Sequence, residues 1–143
     1  MPVFEKTVTI EAPVADVFKY LDDPAHLPEI WPSLYEVKDV VRLPNEGRKF
    51  TWLYNLAGKK VEGKAETIER IAHKKIVDRT MGAIDSTFTW EFMGDNGTTK
   101  VKLHADYRTP IPAVEPKLEP FLVRRNEFEA GVLLENLKAR FEF

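Results

Sequence analysis

Six successive segments between Ser33 and Thr109 read as strands, the first with some irregularity, and this limits the fold more than any other feature of the sequence. They are SLYEVKDVVRL, RKFTWLYNLA, VEGKAETIERI, KKIVDRT, STFTWEFM and TTKVKLHADYRT. Turn sequences join them: PNEG after the first, GKK after the second, the loop MGAID before STFTWEFM, and DNG, a strong hairpin signal, before the last. The pattern predicts an antiparallel meander. An earlier strand, VFEKTVTI, places Phe4, Lys6, Val8 and Ile10 on one face. Two short helices separate it from the meander. The first carries Val14, Val17, Phe18 and Leu21 behind Pro13; the second follows Asp23 as cap and Pro24, and carries Leu27, Ile30 and Trp31 before Pro32 stops it. Beyond the linker PIPAVEP, residues from Lys117 to Phe141 return to helical spacing, with Leu118, Phe121, Leu122, Phe128, Val132, Leu134, Leu137 and Phe141 as the expected apolar stripe. Pro120 implies a late start to regular hydrogen bonding or a distorted first turn.

A wide meandering sheet twists and coils, so it presents a concave face. One helix cannot fill that face alone. Large side chains or a ligand must occupy it, and the strands supply large side chains in rows. Phe50, Trp52, Tyr54 and Leu56 share one face of their strand; Ser86, Phe88, Trp90 and Phe92 share another; Val101, Leu103, Ala105 and Tyr107 share a third. Between them, the strand with Val61, Gly63, Ala65 and Thr67 is small on the same side. Small residues facing large rings either leave a pocket or accommodate the rings, and the sequence leaves both readings open.

Composition narrows the function classes. The 21 Lys and Arg against 23 Asp and Glu give a net charge of -2, which argues against a general nucleic-acid binder. With no Cys there is neither a disulfide framework nor thiolate chemistry. No apolar run reaches membrane-spanning length, so stable membrane insertion is not expected, and MPVFEKTVTI lacks the basic and apolar regions of a secretory signal, so the expected address is cytoplasmic. His26, His73 and His104 lie at no metal-ligand spacing, and no nucleophile elbow or phosphate-binding glycine loop is present. His26 and His73 are expected at the surface and in a turn, and His104 is expected to point outward. Asp22 and Asp23 read as helix end and cap, and Asp85 is placed to pair with Arg79 across the loop. No metal, cofactor or catalytic set is expected. A monomer or weak homodimer of one domain over residues 1–143 fits the length.

The phrases VTIEAPVADVFKYLDDPAHLPEIWPSL and EPFLVRRNEFEAGVLLENLKARFE, with the meander between them, resemble the START and Bet v 1-like helix-grip superfamily, in particular its polyketide cyclase/dehydrase and lipid-transport branch. The resemblance spans nearly the whole chain. It implies an α+β helix-grip fold: a seven-stranded curved antiparallel sheet wrapped around a long C-terminal helix, with two short helices after the first strand. It also implies a cavity between sheet and helix that takes a small or medium hydrophobic ligand: a lipid, an aromatic compound or a polyketide-like molecule. The expected wall is Phe50, Trp52, Tyr54, Phe88, Trp90, Phe92 and Tyr107, with Trp31 and Phe121 narrowing an opening and Arg125 reaching inward or lying along the helix edge. Cyclase-like or dehydratase-like catalysis by Tyr54, Tyr107 and Arg125, and a protein-interaction role of the chaperone-cofactor kind, are the alternatives.

Overall fold

The computed structural model describes residues 3–142 except 57, 109, 110 and 113. Strands β1 (Val3–Ile10), β2 (Leu34–Arg42), β3 (Arg48–Leu56), β4 (Lys59–Ile71), β5 (Lys75–Gly82), β6 (Ser86–Asp95) and β7 (Thr98–Tyr107) form one antiparallel sheet in the order β1-β7-β6-β5-β4-β3-β2. Helices α1 (Val14–Asp22) and α2 (Leu27–Ile30) follow β1, and α3 (Glu119–Phe141) crosses the concave face and packs on β1. This is the helix-grip architecture: a curved seven-stranded sheet around a long C-terminal helix. No helix among the described residues is long and apolar enough to cross a membrane.

Local chemistry explains most boundaries. Asn96 (φ 49°) and Gly97 (φ 83°) both adopt left-handed backbone, which makes the DNG turn a two-residue hairpin loop between β6 and β7. Asp23 accepts a hydrogen bond from the Ala25 N–H at 3.0 Å, capping the one-turn 3-10 segment Pro24–His26 that leads into α2. Pro120 lies in the first turn of α3, where its missing N–H costs no internal bond, and a 3-10 turn (Pro116–Leu118) precedes it. The PIPAVEP linker falls partly outside the described residues, although Ile111 within it is fully buried. Edge strand β2 is irregular: its register with β3 shifts twice, and Asp39 takes φ 56°. Such bulges twist an edge away from further pairing.

Three expectations need correction. The loop MGAID shortens to residues 83–85, because β5 runs on through Met81 and Gly82. The GKK turn also shortens, since Lys59 and Lys60 already pair with Leu56 and Asn55. In both places cross-strand pairing overrides the local turn signal. The third correction concerns α3. Its buried face is Leu122, Asn126, Glu129, Ala130, Leu133, Leu134 and Leu137, whereas Phe121 and Phe128 are 65% and 74% exposed. Steps of four and three residues carry the buried face through 122, 126, 129 and 133. The two phenylalanines lie one residue out of phase with it and turn to solvent.

Candidate functional site

The register explains how the aromatic rows lie. Trp52 pairs with Gly63, Phe50 with Ala65 and Tyr54 with Val61 across β3 and β4. A Cβ on Gly63 would overlap the Trp52 indole, so the ring lies directly on the β4 backbone. The small residues of β4 therefore accommodate the rings of β3. They do not empty the interior. What remains is a cavity of about 60 Å³ between the sheet, α2 and α3. That is room for small molecules such as water, against ~300 Å³ or more for a typical ligand pocket.

Seven of the ten anticipated site residues meet at this cavity: the wall residues Phe50, Trp52, Tyr54, Phe88, Trp90 and Tyr107, and Trp31, the residue expected to narrow an opening. Trp31, half-buried at the end of α2, stands edge-on to Tyr54 (centroids 6.3 Å) and to Phe88 (5.5 Å), so it closes the aromatic ring set from the helix side. Three are elsewhere. Phe92 is buried near α1 against Phe18, with centroids 5.1 Å apart. Phe121 and Arg125 lie on the exposed face of α3. None of the three histidines borders the cavity: His26 bonds the Tyr20 carbonyl at 2.7 Å, His104 lies 3.3 Å from Glu5 on the outer face, and His73 sits in a turn with φ 63°. Arg79 and Asp85 form no ion pair among the described residues and border an outer groove with Asp106 and Arg108.

One side of the cavity is polar. The Tyr54 hydroxyl donates to Asn126 Oδ1 (3.2 Å) and lies 3.4 Å from Glu129 Oε1, while Asn126 Nδ2 donates to the Tyr107 hydroxyl (3.1 Å). Glu129 in turn accepts from the Ser33 N–H (2.9 Å) and hydroxyl (2.6 Å). These two bonds tie the α2–β2 connection, and with it Trp31, to the middle of α3. Burial, then the Glu129 charge, pushes the Tyr54 hydroxyl well above its ordinary pKa, and burial does the same to Tyr107. Both hydroxyls keep their protons at neutral pH. They orient a bound group by hydrogen bonds and are poor bases.

At the other end lies an ion network. Arg48, 1% exposed, donates to Asp78 Oδ2 at 2.9 Å and to the carbonyls of Leu21 and Asp22 at 3.3 and 3.2 Å. It thus caps the C-terminus of α1 with a cation. Asp78 also accepts from the Thr67 hydroxyl at 2.7 Å and borders the cavity. Burial pushes the Asp78 carboxyl up, against the opposing charge of Arg48 and the Thr67 bond. Asp22 accepts two 2.9 Å bonds from Arg70 and lies 3.4 Å from Arg42 and 3.5 Å from Arg48. Burial pushes its carboxyl up, but the Arg70 bond and the charges of Arg42, Arg70 and Arg48 outweigh that and hold it below its ordinary value. A depressed carboxyl stabilises the fold above the unfolded value of about 3.9, and that stabilisation is lost as pH falls through the lower folded value. Wild type is therefore expected to lose melting temperature more steeply than Asp22→Asn on acidification below about pH 4. Parallel slopes in thermal melts across that range would show that Asp22 carries no such linkage.

With the geometry in hand, a family model described as polyketide cyclase/dehydrase and lipid transport matches residues 1–142. The chain belongs to this family. Solved structures similar to it include TTHA0849 from Thermus thermophilus (22% identity, 98% of this chain and 97% of that one, TM-score 0.83). The Zhui aromatase/cyclase from Streptomyces sp. R1128 is similar over 99% of this chain and 96% of its own, at 18% identity and TM-score 0.79. A START superfamily protein from Mycobacterium smegmatis matches at 12% identity over 97% and 96%, with TM-score 0.77. At these identities the likeness is one of fold. No curated protein matches the sequence.

Within the polyketide cyclase/dehydrase and lipid transport fold, this chain brings to its cavity Ser86, already placed in an inward row by the sequence, and several residues that the sequence reading did not name: Asp78, Thr80 and Asn126, with Glu129 and Arg48 just behind them. Strand phase was the available signal. Arg48 is in step with Phe50 and Trp52, and Asp78 with Ile76 and Thr80, so both charges face inward. Asn126 and Glu129 lie in step with Leu122 and Leu133 on α3.

Proposed function

We propose that this protein binds a small apolar molecule between the sheet and α3, with the Tyr54–Asn126–Tyr107 group orienting a polar end of that molecule. The observation that carries this reading is a mostly aromatic cavity with one hydrogen-bonding side, in a member of a family that includes cyclases and lipid carriers. Lipid, aromatic and polyketide-like ligands all fit that chemistry. Apolar burial supplies the affinity, at about 25 cal/mol per Å² before binding costs. A ligand larger than the 60 Å³ cavity must move a side chain, and Trp31 is the one standing between the cavity and solvent on the α2 side.

The test is to denature freshly purified protein, extract it, identify any co-purified apolar compound by mass spectrometry, and titrate that compound back while following Trp fluorescence. Trp31→Ala is expected to raise the association rate and the apparent affinity by about tenfold, because it removes the closed state that competes with the ligand. A slower or unchanged association rate would show that Trp31 is wall and not gate. No bound compound and no binding across a broad panel of apolar ligands would leave the aromatic face as a packed core.

A cyclase-like or dehydratase-like reaction is the second reading. It is favoured by the family match and by the hydroxyl–amide–hydroxyl chain at the cavity, which is suited to holding a carbonyl or hydroxyl in place. Turnover of the extracted compound, lost in Tyr54→Phe with binding retained, would promote it.

A further inference from the structure

Two phenylalanines of α3 take no part in the cavity. Phe121 and Phe128 are 65% and 74% exposed and, seven residues apart, share one side of the helix. Leu118, in the 3-10 turn that leads into α3, is 49% exposed, and Pro120 close to it is exposed too. A single exposed ring is ordinary, but a row of apolar side chains on one surface marks a contact. The free charges among these residues are of one sign. Lys117, Arg124 and Arg125 are exposed and form no ion pair among the described residues. The carboxylates of the same stretch are engaged: Glu119 accepts from the Ile111 N–H at 2.6 Å, and Glu127 lies 3.7 Å from Lys6 on β1. Glu115 and Glu135, both exposed, lie outside residues 117–128. The chain as a whole carries a net charge of -2, so the basic character is local to this face.

We propose that this face, from Lys117 to Phe128, docks the protein on an anionic lipid surface. Leu118, Phe121 and Phe128 enter the layer between headgroups and acyl chains, and Lys117, Arg124 and Arg125 meet the headgroup charges. Charge complementarity selects this occupant. A second copy docking by the same face would set the three cations against the same three, because a two-fold interface brings a patch against itself. A neutral apolar groove would suit the rings but would desolvate the arginines without pairing them. Leu122, Asn126 and Glu129 lie on the opposite, buried side of the helix, so docking leaves the cavity wall in place. α3 is not long and apolar enough to cross a membrane, so the contact is peripheral. It does not depend on what the cavity holds, and its failure leaves the ligand-binding reading standing.

The test is co-sedimentation of the full chain with vesicles of phosphatidylcholine alone and of phosphatidylcholine with an equal part of phosphatidylserine. Wild type is expected to bind the mixed vesicles about tenfold or more tighter than the neutral ones, and to leave them as salt is raised. This comparison needs no variant to fold. Arg124→Gln with Arg125→Gln is expected to weaken binding to the mixed vesicles by about tenfold or more, and so is Phe121→Gln with Phe128→Gln. All four side chains are exposed, and unchanged thermal melts check that the variants fold. Lys49→Gln with Lys100→Gln removes the same charge from exposed positions of the sheet and is expected to leave binding unchanged. The proposal is overturned if wild type ignores the mixed vesicles, if it binds both kinds equally, or if the sheet variant loses as much as the arginine variant. Sedimentation velocity supplies the remaining outcome. A wild-type dimer that the phenylalanine variant turns into a monomer would make this face an interface between copies, and the proposal falls.

Discussion

Arg48→Met is expected to destabilise the fold by about 3–5 kcal/mol, because it leaves the Asp78 carboxylate buried without its cation. Arg48 is fully buried, and three elements depend on it: the end of α1 through the Leu21 and Asp22 carbonyls, β5 through Asp78, and its own strand β3. Thr67 keeps its 2.7 Å bond to Asp78 but brings no charge. The partner substitution Asp78→Leu should be costly for the mirror reason. The pair together, Arg48→Met with Asp78→Leu, should cost less than the sum of the singles, because no buried charge is then left alone. Denaturant melts of the four proteins measure this. Additive losses would mean that the two side chains stabilise independently, through packing and the α1 cap, and not as an ion pair.

Trp90→Ala should cost a similar ~3–5 kcal/mol and should change what the protein binds. Trp90 is buried, pairs across the sheet with Leu103 and Ile76, and borders the 60 Å³ cavity. Deleting its indole enlarges an apolar space that already exists. A space enlarged on this aromatic side admits a ring compound. Added indole is therefore expected to raise the melting temperature of Trp90→Ala well above its effect on wild type, by mass action worth up to ~2.7 kcal/mol at a hundredfold excess over the dissociation constant. Leu137→Ala is the control: Leu137 is equally buried, but on α3 away from the cavity wall, so its loss should not respond to indole. If indole leaves Trp90→Ala unmoved, the surrounding rings have collapsed into the void, and the aromatic face is a more plastic core than its close packing implies.

The polar residues mark where sequence reasoning stops. Asn126 and Glu129 look like solvent-facing residues of a long helix, and Phe121 and Phe128 look like its core. The opposite holds, because the helix is set by Leu122, Leu133 and Leu137 docking on the sheet, and a shift of one residue changes which side chains lie beneath. Glu129 is tolerated inside because Ser33, 96 positions earlier, offers it both an N–H and a hydroxyl. No local pattern foretells that meeting.

The sequence by itself determined the strands, their order of appearance, the two short helices and the aromatic side of β3, β6 and β7. Those depend on period and turn chemistry, which act between neighbours in the chain. It also placed Trp31, Trp52, Tyr54, Phe88, Trp90 and Tyr107 together, through strand phase and the family likeness carried by the chain's two ends. Only the tertiary structure decided how much space those rings leave. It also decided that Gly63 lets Trp52 lie against the β4 backbone, that Arg48 and Asp78 form a buried pair, and that the Trp52 indole N–H is buried without a partner among the described residues. Cavity size is a small difference between two large volumes. Hydrogen-bond satisfaction likewise depends on which distant atoms end up within about 3 Å of each other. Both are fixed by the closing of the sheet around α3, which no short stretch of sequence encodes.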